Sequence, residues 1–133
     1  MANATSIAIT DLTANGQISA PATQTLDTGT AAVTLETPDL AGTAHRCWLE
    51  VWNTHATATL TVSVAAGDNP PAFRAGVGAF TGAAIAAVSG HALICLGDSS
   101  RFLEGGGKLK VTFTPSTGTI TGAFTLYRLP RAG

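Results

Sequence analysis

Four segments of the chain alternate between apolar and polar residues with a period of two, and this pattern constrains the fold most strongly. The clearest is RCWLEVWN (46–53), in which Cys47, Leu49 and Val51 share one face. The other three are ATLTVSVA (58–65), KLKVTFT (108–114) and TITGAFTLYRL (119–129). A period of two is typical of a β-strand with one buried face, and no long segment shows the helical period. The chain is therefore predicted to be all-β.

Weaker strand signals and turn residues divide the rest of the chain. Short apolar runs predict further strands at 6–10, 31–35, 85–88 and 92–96. The links NTHAT and TPSTG each join two consecutive alternating segments, and their length and composition predict two β-hairpins. Many short strands separated by turns are typical of an antiparallel β-sandwich or barrel, jelly-roll-like or tulip-like, with little or no helix.

The organisation of the chain indicates one β domain that spans residues 1–133. No linker separates two parts of different composition, and no internal repeat is visible. The stretch GQISAPATQTLDTGTA (16–31) is predicted to be a loop or an irregular edge segment. Residues 1–30 as a whole are expected to form an extended N-terminal arm or an edge segment of the domain.

Charged residues make up only 11% of the chain, against roughly 25% in an average soluble domain. Because interfaces are depleted in Lys and Glu, the composition favours a subunit that packs against neighbours over a weakly charged monomer. The first 68 residues carry six acidic side chains and one arginine, and the rest carry six basic and two acidic side chains. This asymmetry fits either pairing of oppositely charged strands or head-to-tail contacts between subunits.

The same composition argues against three classes of protein. No dense basic block exists, so nucleic-acid binding is not expected. The longest apolar runs are far shorter than the roughly 20 residues of a membrane-spanning helix, so no membrane association is expected. The N-terminus, MANATSIAIT, lacks the basic and apolar regions of a secretory signal, so secretion is not expected either.

Side chains that could catalyse a reaction or bind a metal are scattered. His45, His55 and His91 share no ligand spacing. Cys47 and Cys95 each lie in an apolar strand, far apart in sequence, and are predicted to be buried free thiols. The stretch EGGGK lacks the spacing of a phosphate loop and precedes a strand, and no nucleophile motif occurs. The chain is therefore expected to be no enzyme and to bind no cofactor or metal.

Trp48 and Trp52 share the polar face of the first alternating segment. If exposed, they could form a flat platform for sugar rings; if buried, they anchor a core or an interface with a neighbouring subunit. Burial is the favoured interpretation, since tryptophan is highly buried on average. Glu50 lies between them and must stay solvated or find a partner, which makes an interface more plausible than an ordinary core.

The stretch AGDNPPAFRAG (66–76) is predicted to be a stiff corner between strands. Its Gly-Asp-Asn triplet is strong turn chemistry, and its two prolines remove backbone donors and hold the chain extended. Such a segment must cross an end or an edge of the sandwich, where it presents a fixed surface that suits docking better than catalysis. The candidate contact residues here are Asn69, Pro70, Pro71, Phe73 and Arg74.

The sequence between Trp52 and Arg131 resembles small structural proteins of tailed bacteriophage heads. The similar features are NTHATATLTV, the corner AGDNPPAFRAG, the turn DSSRFL and the closing LYRLPR. The resemblance implies a capsid decoration (cement) protein, a β-rich subunit that binds the outer surface of an icosahedral head and stabilises it. It also implies synthesis in the bacterial cytoplasm, and Arg101 in the DSSRFL turn becomes a further candidate contact.

Two hypotheses from different classes follow. The first is a non-enzymatic virion protein, expected to be a homotrimer, whose partner is the major capsid protein. The alternative is a carbohydrate- or receptor-binding β-module of a phage tail or fibre. The two differ at Trp48 and Trp52, because a sugar binder exposes both indoles, whereas a decoration protein buries them in its core or in an interface.

Overall fold

The described part of the chain consists of β-strands joined by turns. The computed structural model describes residues 6–14, 16–17, 23–27, 31–38, 40, 46–65, 80–95 and 108–130. Within them the strands are β1 (Ile9–Asp11), β2 (Gln24–Asp27), β3 (Val33–Glu36), β4 (Cys47–Asn53), β5 (Leu60–Val64), β6 (Phe80–Thr81), β7 (Gly90–Cys95), β8 (Lys110–Pro115) and β9 (Thr121–Arg128). No α-helix occurs in these ranges, which confirms the all-β prediction. Accordingly, no helix among them is long and apolar enough to cross a membrane.

The strands form two sheets. The five-stranded sheet has the order β1-β9-β4-β7, and β2 also pairs with β9, beside β1 on the same edge. The four-stranded sheet has the order β3-β8-β5-β6. All of these pairs are antiparallel except β1 with β9, which is parallel. The two sheets remain separate, so the architecture is a sandwich and not a closed barrel.

The core lies between the two sheets and consists of their inward-facing apolar rows. Phe124 of the five-stranded sheet and Phe113 of the four-stranded sheet stack across the interior with ring centroids 5.2 Å apart. The buried apolar side chains on strands are Leu26, Leu35, Cys47, Leu49, Val51, Leu60, Val62, Val64, Ile94, Val111, Phe113, Phe124 and Leu126. The faces predicted from the alternation in 46–53, 58–65, 108–114 and 119–129 are therefore confirmed.

The two predicted hairpins are wrong. The strands β4 and β5, joined by 54–59, belong to different sheets, and so do β8 and β9, joined by 116–120. Each link is an arch that carries the chain across the roughly 10 Å between packed sheets. The two arches also bond to each other, because Ser116 N donates to Thr59 O at 2.8 Å and Thr59 N donates to Ser116 Oγ at 3.0 Å.

Asn53 explains why the first link becomes an arch. It follows the inward row of β4 and is only 1% exposed, at the end of the core. Its Nδ2 donates its two hydrogens to the carbonyl oxygens of Ala58, Ile85 and Ala86 at 2.9, 3.0 and 3.1 Å, so two of these acceptors share one hydrogen. Its Oδ1 accepts a hydrogen bond from His55 N at 3.0 Å. One amide thus satisfies backbone groups of the arch and of the segment before β7, which no hairpin turn would require.

The other strand predictions have mixed outcomes. The strands predicted at 6–10, 31–35 and 92–96 correspond to β1, β3 and β7, with shifted ends. The stretch predicted at 85–88 is not a strand, because only Ile85 makes an isolated bridge, to Leu60. The strand β2 lies within 16–31, where a loop or an irregular edge was predicted, and it occupies an edge of its sheet.

Val88 lies in a strained turn just before β7. Ser89 N donates to Ala87 O at 2.9 Å, which closes a three-residue turn around Val88, whose φ is 75°. This left-handed conformation is costly for a β-branched residue. The chain folds back so closely that a Cβ on Gly90 would lie 2.0 Å from Ala86 O, so only glycine fits there.

Acidic residues from the first half of the chain lie opposite basic residues from the second half on neighbouring strands. Asp11 of β1 lies opposite Arg128 of β9, and Glu36 of β3 lies opposite Lys110 of β8. Arg128 Nη2 donates to Asp11 Oδ2 at 2.9 Å, and hydrogen bonding to Arg128 lowers the pKa of Asp11. Since Asp11 is 61% exposed, this ion pair contributes little to stability.

We expect Asn53→Leu to lower the free energy of unfolding by about 2–4 kcal/mol, because it keeps the volume but removes the hydrogen bonds of Asn53 to the Ala58 carbonyl oxygen and the His55 N–H at a buried position. Urea denaturation measures the change. Thr114→Leu, at an exposed position of β8, is the control and should change stability by about 0.5 kcal/mol or less. Equal effects of the two substitutions would contradict the role of Asn53.

We expect Val88→Gly to raise the free energy of unfolding by about 1 kcal/mol, because glycine adopts a positive φ without the strain of a branched side chain. Thermal unfolding measures the change. Thr114→Gly removes a β-branched residue from a regular strand and should instead destabilise by about 0.5–1 kcal/mol. A loss of stability in both variants would show that the turn at Val88 is not strained.

Candidate functional site

Among the described residues, the outward face of the five-stranded sheet carries two tryptophans and a tyrosine that lie outside the core cluster. Trp48, Glu50 and Trp52 alternate with the buried row of β4 and therefore point away from the core, where each is half-buried. The antiparallel register places His91 of β7 opposite Trp52, and Tyr127 of β9 opposite Trp48. We call these five residues the aromatic face.

Glu50 joins the two halves of the aromatic face. His91 Nε2 donates to Glu50 Oε2 at 2.9 Å, and the Tyr127 hydroxyl donates to Oε1 at 3.3 Å. The Glu50 side chain is only 18% exposed, so these two donors compensate for much of the hydration that its carboxylate loses. Burial raises the pKa of Tyr127, and the negative charge of Glu50 raises it further. Tyr127 therefore remains a neutral donor at physiological pH.

Each tryptophan of the aromatic face packs against a second ring. His91 stacks on Trp52 with a centroid separation of 4.9 Å and an interplanar angle of 9°. Tyr127 packs against Trp48 with a centroid separation of 5.8 Å and an angle of 46°. The side chains thus form a connected row, Trp52–His91–Glu50–Tyr127–Trp48, across three adjacent strands. Each side chain of the row is therefore held in place by its neighbours.

The opposite outward face of the sandwich differs in chemistry. Cross-strand neighbours in the four-stranded sheet align four hydroxyl side chains in one row: Thr34, Thr112, Ser63 and Thr81. The hydroxyls of Thr34 and Thr112 are hydrogen-bonded at 2.8 Å. We call these four residues the hydroxyl face. It carries no aromatic ring, and it therefore provides a comparison surface for the aromatic face.

The candidate residues predicted from the sequence divide into two groups. Trp48 and Trp52 lie outside the core cluster, on the sheet surface, so burial in the core of this chain is wrong and a subunit interface stays a prediction. The remaining candidates fall outside the described residues: Asn69, Pro70, Pro71, Phe73, Arg74 and Arg101. His91 and Tyr127 were not predicted as site residues, because only the pairing of β4 with β7 and β9 brings them to Trp52 and Trp48.

The two thiols that were predicted to be buried differ in exposure. Cys47 and Cys95 are both free thiols; Cys47 is buried as predicted, but Cys95 is exposed on β7, so the prediction of burial there is wrong. Burial raises the pKa of the Cys47 thiol, which keeps it protonated and unreactive. Among the described residues, no group of three or more His, Cys, Asp or Glu side chains could hold a metal ion.

We expect His91→Ala to increase acrylamide quenching of Trp52 fluorescence, because the substitution removes the ring stacked on that indole. The chain has two tryptophans, so Trp48→Phe isolates the Trp52 signal and Trp52→Phe isolates that of Trp48. In the second background, His91→Ala should leave quenching unchanged, since Trp48 packs on Tyr127. An increase at both tryptophans, or at neither, would contradict the described contacts.

Comparisons of the chain with protein-family models, with curated proteins and with solved structures found no match.

Proposed function

We propose that this chain is a non-enzymatic structural protein that binds another protein through its aromatic face. More specifically, the chain is proposed to be a capsid decoration protein that binds the major capsid protein on the outer surface of a tailed-phage head. The observation that carries the docking role is the aromatic face itself, a connected row of rings at the surface of a weakly charged chain. The phage setting rests on the resemblance of the segment from Trp52 to Arg131 to small structural proteins of tailed-phage heads.

The aromatic face has the composition of an interface centre. Tryptophan and tyrosine are enriched among the residues that contribute most to binding, because they bury large areas with little loss of conformational entropy. The charge on Glu50 would usually be costly to cover. Here its carboxylate already accepts hydrogen bonds from His91 and Tyr127, so a partner that covers the face does not bury an unpaired anion.

The alternative, a carbohydrate- or receptor-binding module, gains support from the half-exposed indoles. Sugar binding by stacking needs open ring faces. His91 stacks on Trp52 nearly in parallel, and Tyr127 packs against Trp48. Since each indole already has a ring neighbour, the aromatic face is less suited to sugar rings than two isolated tryptophans would be. This contact pattern favours a protein partner.

We expect the purified protein to co-sediment with expanded, undecorated heads of the phage that encodes it, and not with free capsid subunits. Several weak contacts on one shell combine into avidity, and binding to the assembled state stabilises that state. Decorated heads should therefore release their genome at a higher temperature. Trp52→Ala should weaken binding by about thirtyfold or more, the effect of losing a central aromatic anchor worth about 2 kcal/mol.

Thr112→Ala on the hydroxyl face is the matched control, and it should bind heads as the wild type does. Thermal unfolding of each variant checks that the fold is retained. Binding should also persist at raised salt concentration, because few charges are available to be screened. Absence of co-sedimentation, together with binding of the protein to a glycan array or to purified tails, would favour the alternative. Equal losses in both variants would exclude the aromatic face as the docking surface.

A further inference from the structure

The outer edge of β7 is uncovered by any described strand. β7 pairs with β4 on one side and ends the five-stranded sheet on the other. An edge strand presents unpaired backbone donors and acceptors, and proteins usually protect it with lysine, proline, bulges or short length. The six residues of β7, GHALIC, contain no Lys, Arg, Asp, Glu or Pro. This edge therefore lacks the common sequence devices that prevent pairing with another chain.

β7 carries an apolar side chain or two on each side of the sheet. Leu93 points outward and is 65% exposed, which is high for a large hydrophobic residue. Ala92 and Ile94 point inward and line an open cavity of about 400 Å³ between β7 and the edge of the other sheet. A strand added to β7 would gain backbone hydrogen bonds along the edge and apolar contacts on both faces, the general mode of strand addition.

We propose that the β7 edge pairs in antiparallel orientation with β7 of a second copy of this chain, about a two-fold axis that passes through Leu93. Directly opposed residues of an antiparallel pair point to the same face. With the axis at Leu93, each Leu93 lies beside its own copy on the outward face. Ala92 then lies opposite Ile94 of the second copy on the inward face, so a small residue meets a large one on each side of the axis.

Charge favours a second copy as the partner at this edge. A two-fold contact brings β7 against the same strand of the second copy, so a row of like charges on β7 would repel its own copy. β7 carries no permanently charged side chain, and His91, its one titratable imidazole, is hydrogen-bonded to Glu50. The formal net charge of the whole chain is −1, so two copies meet little long-range repulsion. The edge is therefore self-complementary.

The pairing would also extend the aromatic face. β7 already contributes His91 to that face, so two paired copies would present both aromatic faces on one continuous sheet, with the two Leu93 side chains between them. Self-association in solution is nevertheless independent of docking to a capsid. Self-association is measured on the purified protein without capsids. A failure to dimerise therefore does not count against docking to a capsid, and a failure to dock does not count against the dimer.

The first test is the mass of the purified protein by light scattering during size-exclusion chromatography. We expect a dimer, twice the 13.4 kDa of one chain, in place of the homotrimer predicted from the sequence. Leu93→Lys places two like charges opposite each other at the axis and should reduce the mass to that of the monomer. Thr114→Lys adds the same charge at an exposed position of β8 and should leave the dimer intact. Circular dichroism and thermal unfolding confirm that both variants fold.

The second test fixes the register by cross-linking in a Cys95→Ser background. Opposed residues of an antiparallel pair have Cβ atoms about 4.5–5.5 Å apart, near the separation that a disulfide bridges. Leu93→Cys should therefore form a covalent dimer with diamide as the oxidant, and Thr114→Cys should not. A monomeric wild type, a trimer, a dimer that survives Leu93→Lys, or equal cross-linking at the two positions would overturn the proposal.

Discussion

The pairing of β4 with β9 along seven residues is the contact on which the rest of the structure depends. Alternate residues of β4 enter the core beside Phe124 and Leu126, and the residues between them form the aromatic face with Tyr127. The register of this one strand pair therefore determines which residues enter the core and which form the aromatic face. Because side chains alternate with a period of two, a slip by one residue would move the core row into solvent and the tryptophans into the core. The burial of the core row and the exposure of the aromatic face therefore depend on the same register.

The four alternating strands and their buried faces were predictable from the sequence, but β2, β6 and the pairing between strands were not. Alternation reports the surroundings of each side chain and carries no information about the neighbouring strand. Links of five or six residues suit a hairpin and an arch equally well. The arches depend on two inward side chains: Asn53, which bonds three carbonyls, and Ile120, which is fully buried at the end of the second link. Asparagine in a polar link is typical of a turn, so its buried role could not be recognised from composition.

The candidate site shows the same limit. Trp48 and Trp52 were recognised because residues four apart on one strand share a face. The need of Glu50 for a partner followed from the cost of burying a carboxylate, but the identity of that partner did not. His91 and Tyr127 lie 41 and 77 residues away from Glu50 in the sequence. Only the strand order of the sheet brings them together, and strand order is a property of the whole chain.

The position of β9 has a consequence for the order in which the sheet can form during synthesis. β9 follows β1, β2 and β4 in the sequence, and all three pair with it. The five-stranded sheet therefore cannot assemble on the ribosome until β9 has been made. Until then, the inward rows of β4 and β7 have no completed sheet to hold them. Chains whose pairing is this long-range fold slowly and are exposed to misassembly. A chain truncated before β9 retains none of the strand pairs described for β1 and β2.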